Sequence, residues 1–228
     1  AALDRGAEAS QYYRMVMREA SGTGRARDAT YRLAHQLQKQ EAHREAAELY
    51  RTVVTRYPKD PLAPQAAYAA AFCLSRVGAH DEAARDWRRL ATDYSDHELV
   101  EDALYQKAMS EIRLERREDA VASLEELLRR FPKSRFAADA WYWKGMLLRE
   151  QEKFAGAEEA LRHAMDSASR DELRREATFQ LGLVLQKLDR QEDAAGLLQE
   201  LLDSPLSGKF PPALLEWLST HYSGPGGA

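Results

Sequence analysis

Five alanines stand at one spacing. Ala46, Ala83, Ala120, Ala157 and Ala194 are separated by 37, 37, 37 and 37 residues, with no insertion between any two. A fixed period of this length is the mark of a repeat array, and it has to be recognised before any local structure is assigned. Twelve residues before each alanine lies another small residue: Ala34, Ala71, Ala108, Gly145 and Gly182. Four residues after each comes a large one, Tyr50, Trp87, Leu124, Leu161 and Leu198, and seven after stand Val53, Leu90, Leu127, Ala164 and Leu201. Apolar residues at i, i+4 and i+7 share one face of a helix. The small column has its own cause. Two helices that cross closely tolerate nothing larger than a methyl group at the contact, and a bulkier side chain there costs about 1–3 kcal/mol.

These columns define five helix–turn–helix units. The clearest copy is Ala138–Ser169, with Trp141, Gly145 and Leu148 on one helix face, Ala157, Leu161 and Ala164 on the next, and a tight turn near Glu152–Lys153. The register extends to both ends. Ala9, Tyr13 and Val16 sit one period before Ala46, Tyr50 and Val53, so Leu3–Glu19 is expected to be a second helix without its first. Leu215, Leu218, Ser219 and Tyr222 occupy first-helix columns, which predicts a closing helix over Pro212–Tyr222. The expected organisation is a partial repeat over 1–20, five repeats over 27–206, a closing helix over 211–222 and a flexible tail over 223–228.

Tyr57-Pro58 and Phe131-Pro132 close second helices, and Asp60-Pro61 with Ala63-Pro64 opens the next unit. Ser95-Asp96, Ser134 and Ser169 with Asp171 offer turn or N-cap chemistry at the other junctions, and Ser21–Gly24 breaks the opening helix from the first full repeat. Nothing reads as a strand. The expected fold is all-α, with about twelve antiparallel helices.

Composition limits the function classes. A net charge of −4 over 228 residues argues against a nucleic-acid binder that relies on a broad basic field. Cys73 is the only cysteine, so neither an intramolecular disulfide nor a cysteine zinc cluster can form, and it is expected to be an inert core thiol. The six histidines show neither HExxH nor any other metal spacing, so neither a metal site nor a cofactor is expected. No apolar run approaches the ~20 residues of a membrane span, so direct membrane insertion is not expected. The chain starts at Ala1 without a Met. A preceding segment is therefore expected to have been removed, with any signal peptide or lipid anchor.

The columns resemble the tetratricopeptide repeat (TPR). Repeat four is most similar, through Trp141, Gly145, Phe154, Ala157 and Ala164, and repeat five keeps Leu181-Gly182, Leu185 and Ala194. The resemblance implies a right-handed α-solenoid that acts as a non-enzymatic scaffold for protein partners. The period of 37 is longer than the family's usual 34. The Tyr-Pro and Phe-Pro endings resemble a subset common in bacterial envelope proteins, of the outer-membrane-assembly lipoprotein and Tol–Pal coordinator type. That subset implies a periplasmic or envelope location, the alternative being cytoplasmic.

In such a solenoid the first helices line a concave groove where partners bind. Three residues before the small column are Tyr31, Tyr68, Tyr105, Tyr142 and Phe179, and one after it are His35, Phe72, Met109, Met146 and Leu183. Together they predict an aromatic ladder beside an apolar one, gripping a peptide or protein segment. Trp143 is the best single anchor candidate, because its column otherwise holds Arg32, Ala69, Gln106 and Gln180. Flanking them are Asp28, Gln65, Asp102, Asp139 and Glu176 on one side and Lys39, Arg76, Arg113, Glu150 and Lys187 on the other. Opposite charges on two sides would fix a ligand's direction, with Asp102, Asp139, Arg76 and Arg113 as the groove charges. The competing reading is that each Tyr packs repeat on repeat.

Core columns that hold Leu33 and Leu37 in repeat one hold Lys107 and Glu111 in repeat three, and Lys144 in repeat four. The expectation is that the lysine stems run over the core while Glu111 faces outward. The alternative is a polar pocket, the only support for an enzyme acting on an envelope polymer. A further alternative is self-association through the end half-repeats.

Overall fold

The computed structural model describes residues 2–203, with side chains from Glu8 to Leu201. It is all-helical. Among the described residues there are eleven helices and no strand. The expected closing helix over 211–222 and the tail over 223–228 lie outside the described residues.

The chain divides into two compact units, 1–123 and 124–228. Unit 1 holds α1 (Ala2–Glu19), α2 (Gly24–Lys39), α3 (His43–Arg56), α4 (Ala63–Arg76), α5 (His80–Asp93) and α6 (Leu99–Arg113). The division falls inside α7 (Arg117–Arg130). Unit 2 continues with α8 (Ala137–Glu150), α9 (Phe154–Ser167), α10 (Asp171–Lys187) and α11 (Gln191–Asp203). From α1 to α6, and again from α8 to α11, each helix packs on the next.

The sequence columns are the core. Ala46, Ala83, Ala120, Ala157 and Ala194 are all 0% exposed. At the crossings in unit 2, a Cβ built on Gly145 would stand 2.6 Å from Leu161 Cγ, and one on Gly182 would stand 2.9 Å from Leu198 Cδ2. Both lie inside van der Waals contact. Glycine lets a branched leucine sit against the facing backbone, which an alanine would push away.

Each hairpin turns in the same way. Glu41, Gly78, Glu115, Glu152 and Asp189, one period apart, all have positive φ between 56° and 72°. The next residue donates its N–H back across the turn: Ala42 to Leu37, Ala79 to Leu74, Arg116 to Glu111, Lys153 to Leu148 and Arg190 to Leu185, at 2.9–3.0 Å. This six-to-one bond is the Schellman ending, in which a left-handed residue reverses the chain and satisfies an orphan carbonyl.

The links between hairpins repeat as well. Asp60, His97 and Ser134 each accept the backbone N–H two residues on: Leu62 N–H to Asp60 Oδ1 at 2.9 Å, Leu99 N–H to His97 Nδ1 at 3.2 Å, and Phe136 N–H to Ser134 Oγ at 3.0 Å. At the middle link it is His97 that supplies this particular bond. Thr23 Oγ1 accepts from Ala26 N–H at 3.4 Å at the start of α2.

Candidate functional site

In unit 1 the first helices of the hairpins are α2, α4 and α6. Their Tyr column is built into the core on one edge. Tyr31 meets Tyr50 edge-on at 5.2 Å, and Tyr68 meets Trp87 at 4.9 Å. Tyr50 and Trp87 are fully buried, so these edges fix the ladder rings in place. Burial pushes the Tyr31 hydroxyl above its ordinary pKa. The Tyr68 hydroxyl donates to Asp102 Oδ2 at 3.3 Å, tying α4 to α6. Tyr31, Tyr68 and Tyr105 are thus half-buried walls, each with one edge left to solvent.

Beside them the face is open. Phe72 is 38% exposed, one of the few large apolar side chains that the fold leaves in water. Met109 is half-buried and His35 is exposed. Lys39, Arg76 and Arg113 are exposed at the last turns of α2, α4 and α6, where cations also complement the helix dipole. Arg113 Nη1 reaches the Met109 carbonyl at 3.5 Å. A cleft of about 530 Å³ opens beside α2, walled by Tyr13, Tyr31, Arg32, His35 and Lys39.

In unit 2 the corresponding helices are α8 and α10, and there hydrogen bonds tie the columns together beside a buried Phe179. Phe179 is 1% exposed. Its place in the expected groove is therefore corrected: it is a core residue with no surface for a partner. Beside it Gln180 is buried, donating to Glu176 Oε1 at 2.8 Å and accepting from the Arg149 guanidinium. The Tyr142 hydroxyl donates to the same Glu176 Oε1 at 3.4 Å. Burial first, and then the Glu176 charge, raises the pKa of that hydroxyl. Trp143 packs edge-on against Tyr142 at 5.7 Å and is half-buried, as is Met146.

The charge columns are also partly engaged. Asp139 accepts from Arg170 Nη2 at 2.5 Å, Asp28 accepts from Arg27 at 2.7 and 2.9 Å, and Asp102 holds Tyr68. The acidic side therefore ties helices together, whereas Arg76 and Arg113 face water.

Repeated hairpins, a small-residue crossing column and a recurring left-handed turn now have a counterpart among known proteins. Residues 31–97 and 105–172 match the pattern of the family described as Tetratricopeptide repeat. The chain belongs to the tetratricopeptide repeat family. Solved structures agree on the fold. A MamA structure aligns with a TM-score of 0.64 at 12% identity, covering 89% of this chain and 98% of that one. YrrB, described as a TPR protein with an unusual peptide-binding site, aligns at 0.61 and 16% identity over 85% of this chain and 92% of that one. BtubC from P. vanneervenii aligns at 0.59 and 19% identity over 92% and 97%. A search of curated proteins gives no match.

Within this TPR chain the polar residues at core positions differ from expectation. Glu111 does not face outward; it is 1% exposed. Ser123 Oγ donates to Glu111 Oε2 at 2.5 Å, and Lys107 Nζ donates to Ser123 Oγ at 2.9 Å while lying 3.6 Å from Glu111 Oε1. A buried carboxylate needs such partners because desolvation is otherwise prohibitive. Lys144 has its own partners, Glu125 Oε1 at 2.8 Å and the Trp141 ring at 5.1 Å, and Trp141 stacks on His163 at 4.5 Å. Each of these polar groups thus has a partner within the fold.

Among the described residues no group of three His, Cys, Asp or Glu side chains could hold a metal, and no helix is long and apolar enough to cross a membrane. Cys73 is fully buried, and burial pushes its thiol up to about 11.

Proposed function

We propose that this chain is a non-enzymatic scaffold that grips a segment of a protein partner on the first-helix face of unit 1. Phe72 carries the proposal. Phe72 leaves 38% of its surface in water beside the Tyr column, and burial of that part by a partner would recover ~25 cal/mol for each Å² removed from water. Met109 extends the apolar surface, and Tyr31, Tyr68 and Tyr105 supply rigid edges that lose little entropy on binding. Trp143 and Met146 offer a smaller, half-buried patch in unit 2.

The test is a photo-crosslinking amino acid placed at position 72, with a second at Arg88 on α5 as control. A discrete partner band at position 72, absent at position 88, is the expected result. No band at 72, or equal capture at both, removes the proposal.

The proposed setting is the bacterial cell envelope, supported by the Tyr57-Pro58 and Phe131-Pro132 endings. Fractionation of cells expressing the full gene product checks it; a purely cytoplasmic signal contradicts it. A second reading, self-association through α1, has its own observation: Tyr12 and Met15 are 60% and 45% exposed. A monomeric mass at high concentration, unchanged by Tyr12→Ser with Met15→Ser, rules it out.

A further inference from the structure

Four cations share the first-helix face of unit 1: Arg32, Lys39, Arg76 and Arg113. None is in an ion pair among the described residues, and all four are exposed. On the other side of the ladders stand two carboxylates, Asp28 and Asp102; Asp28 lines the same cleft and is paired with Arg27 at 2.7 Å, and Asp102 accepts from the Tyr68 hydroxyl. Helix-dipole complementarity explains why a cation suits the last turn of α2, α4 and α6. It does not explain Arg32, which lies mid-helix on the wall of the 530 Å³ cleft. In unit 2 the row is broken at α8, where the position holds Glu150, and resumes at α10 with Lys187, so three consecutive cations occur in unit 1 alone. Unit 1 thus sets a basic edge along an apolar strip.

We infer that this face takes an acidic segment of a protein partner, its carboxylates on Lys39, Arg76 and Arg113 and its apolar side chains against Phe72 and Met109. This rests on the groove reading above and names the chemistry of the occupant. On this inference the basic edge recognises the occupant, and Asp28 and Asp102 serve mainly to tie residues of the wall together. Direction would then come from the offset between the apolar strip and the cations. A nucleic acid would meet the same cations, but the chain carries 37 acidic against 33 basic residues, and Phe72 and Met109 interrupt the basic surface. Electrostatic complementarity of this kind sets on-rate and specificity, and it weakens with salt.

The probe is a random twelve-residue peptide library displayed on phage, selected on the wild type and on an Arg76→Glu, Arg113→Glu variant. The wild type is expected to enrich Asp or Glu beside aromatic or aliphatic residues, and the variant to enrich Lys or Arg. A selected acidic peptide should bind the variant about tenfold more weakly, equivalent to ~1.4 kcal/mol. Loss of binding to a Phe72→Ala variant places the peptide on this face. Enrichment of apolar sequences without charge bias, still dependent on Phe72, overturns the acidic inference and leaves the groove reading standing. Peptides indifferent to Phe72, or no enrichment, overturn the inference as well, and crosslinking at position 72 then decides the groove reading separately. A fluorescent dT20 bound as tightly as the best peptide, and lost in the charge-reversed variant, assigns the face to nucleic acid instead.

Discussion

Phe72 in unit 1 and Phe179 in unit 2 stand in adjacent ladder columns of first helices, one 38% exposed and the other 1%, while Tyr68, which shares Phe179's column, and Met146, which shares Phe72's, are half-buried. The difference lies in their neighbours. Around Phe179, Gln180, Glu176, Tyr142 and Arg149 form a hydrogen-bonded mesh that closes the face. Around Phe72 the flanking cations stay in water, and the Tyr walls lean back on Tyr50 and Trp87. Within one column, then, a ladder position can be half-buried, as Tyr68 is, or sealed, as Phe179 is, and the flanking polar groups contribute to the difference.

The sharpest way to break that comparison is a matched pair of truncations. Phe179→Ala is expected to cost about 3–5 kcal/mol, as buried Phe→Ala changes do. Phe72→Ala should cost clearly less, ~1–2 kcal/mol, because part of the ring already lies in water. Urea unfolding of both variants checks this, and similar losses would mean that the two faces are not different in kind.

The next effect concerns the crossing in unit 2. Gly145→Ala drives a methyl group to 2.6 Å from Leu161 Cγ, so it should cost about 1–3 kcal/mol by overpacking. The accompanying Leu161→Ala change should recover part of that loss, which a double-mutant cycle would show as coupling.

Smaller still is the hairpin turn, where unit 1 has Gly78 and unit 2 has Glu152 at the same left-handed position. A left-handed conformation costs an L-residue roughly 1–2 kcal/mol, partly offset by glycine's greater unfolded-state freedom. Glu152→Gly should therefore raise stability by about 0.5–1 kcal/mol, and Gly78→Glu should lower it by a similar amount. Thermal midpoints of the two variants moving in the same direction would contradict this.

The smallest effect is pH-dependent and belongs to the second helices of unit 1. Hydrogen bonds from Arg44 and then Arg51 hold the Glu82 carboxyl below its ordinary pKa. A depressed folded-state pKa gives stability that is present above the unfolded value, here 4.5, and is lost as pH falls through the folded one. Glu82→Gln should cost under ~1 kcal/mol at neutral pH, as exposed pairs do. The variant and wild type should converge in acid, read from urea midpoints across the range. A gap that widens as pH falls would reverse the sign.

Much of the fold was legible because the columns have a strong physical cause. A crossing admits only Ala34, Ala71, Ala108, Gly145 and Gly182, and a core demands Tyr50, Trp87 and Leu161; both leave a period in the sequence. The turn near Glu152–Lys153 was legible, but its left-handed backbone, and that of its four counterparts, was not. Four of the five positions carry Glu or Asp where glycine would have announced them, because the surrounding Schellman bonds hold the strained backbone whatever the residue. The inward turn of Glu111 was missed for a related reason. Its partner Ser123 stands twelve residues away on the next helix, and a small hydroxyl carries no periodic signal. At the candidate site the Tyr column was legible as a column. Whether each residue in it was open or sealed depended on neighbours such as Gln180 and Arg149, which column position alone does not reveal.

The most direct test uses the partner captured by crosslinking at position 72 and measures its dissociation constant against two double variants. Phe72→Ala with Met109→Ala is expected to weaken binding by tenfold or more, in line with a central hot spot worth ~2 kcal/mol or above. Trp143→Ala with Met146→Ala should change it by less than about threefold. Equal losses, or a larger loss from the unit 2 pair, would contradict the claim that unit 1 holds the open face.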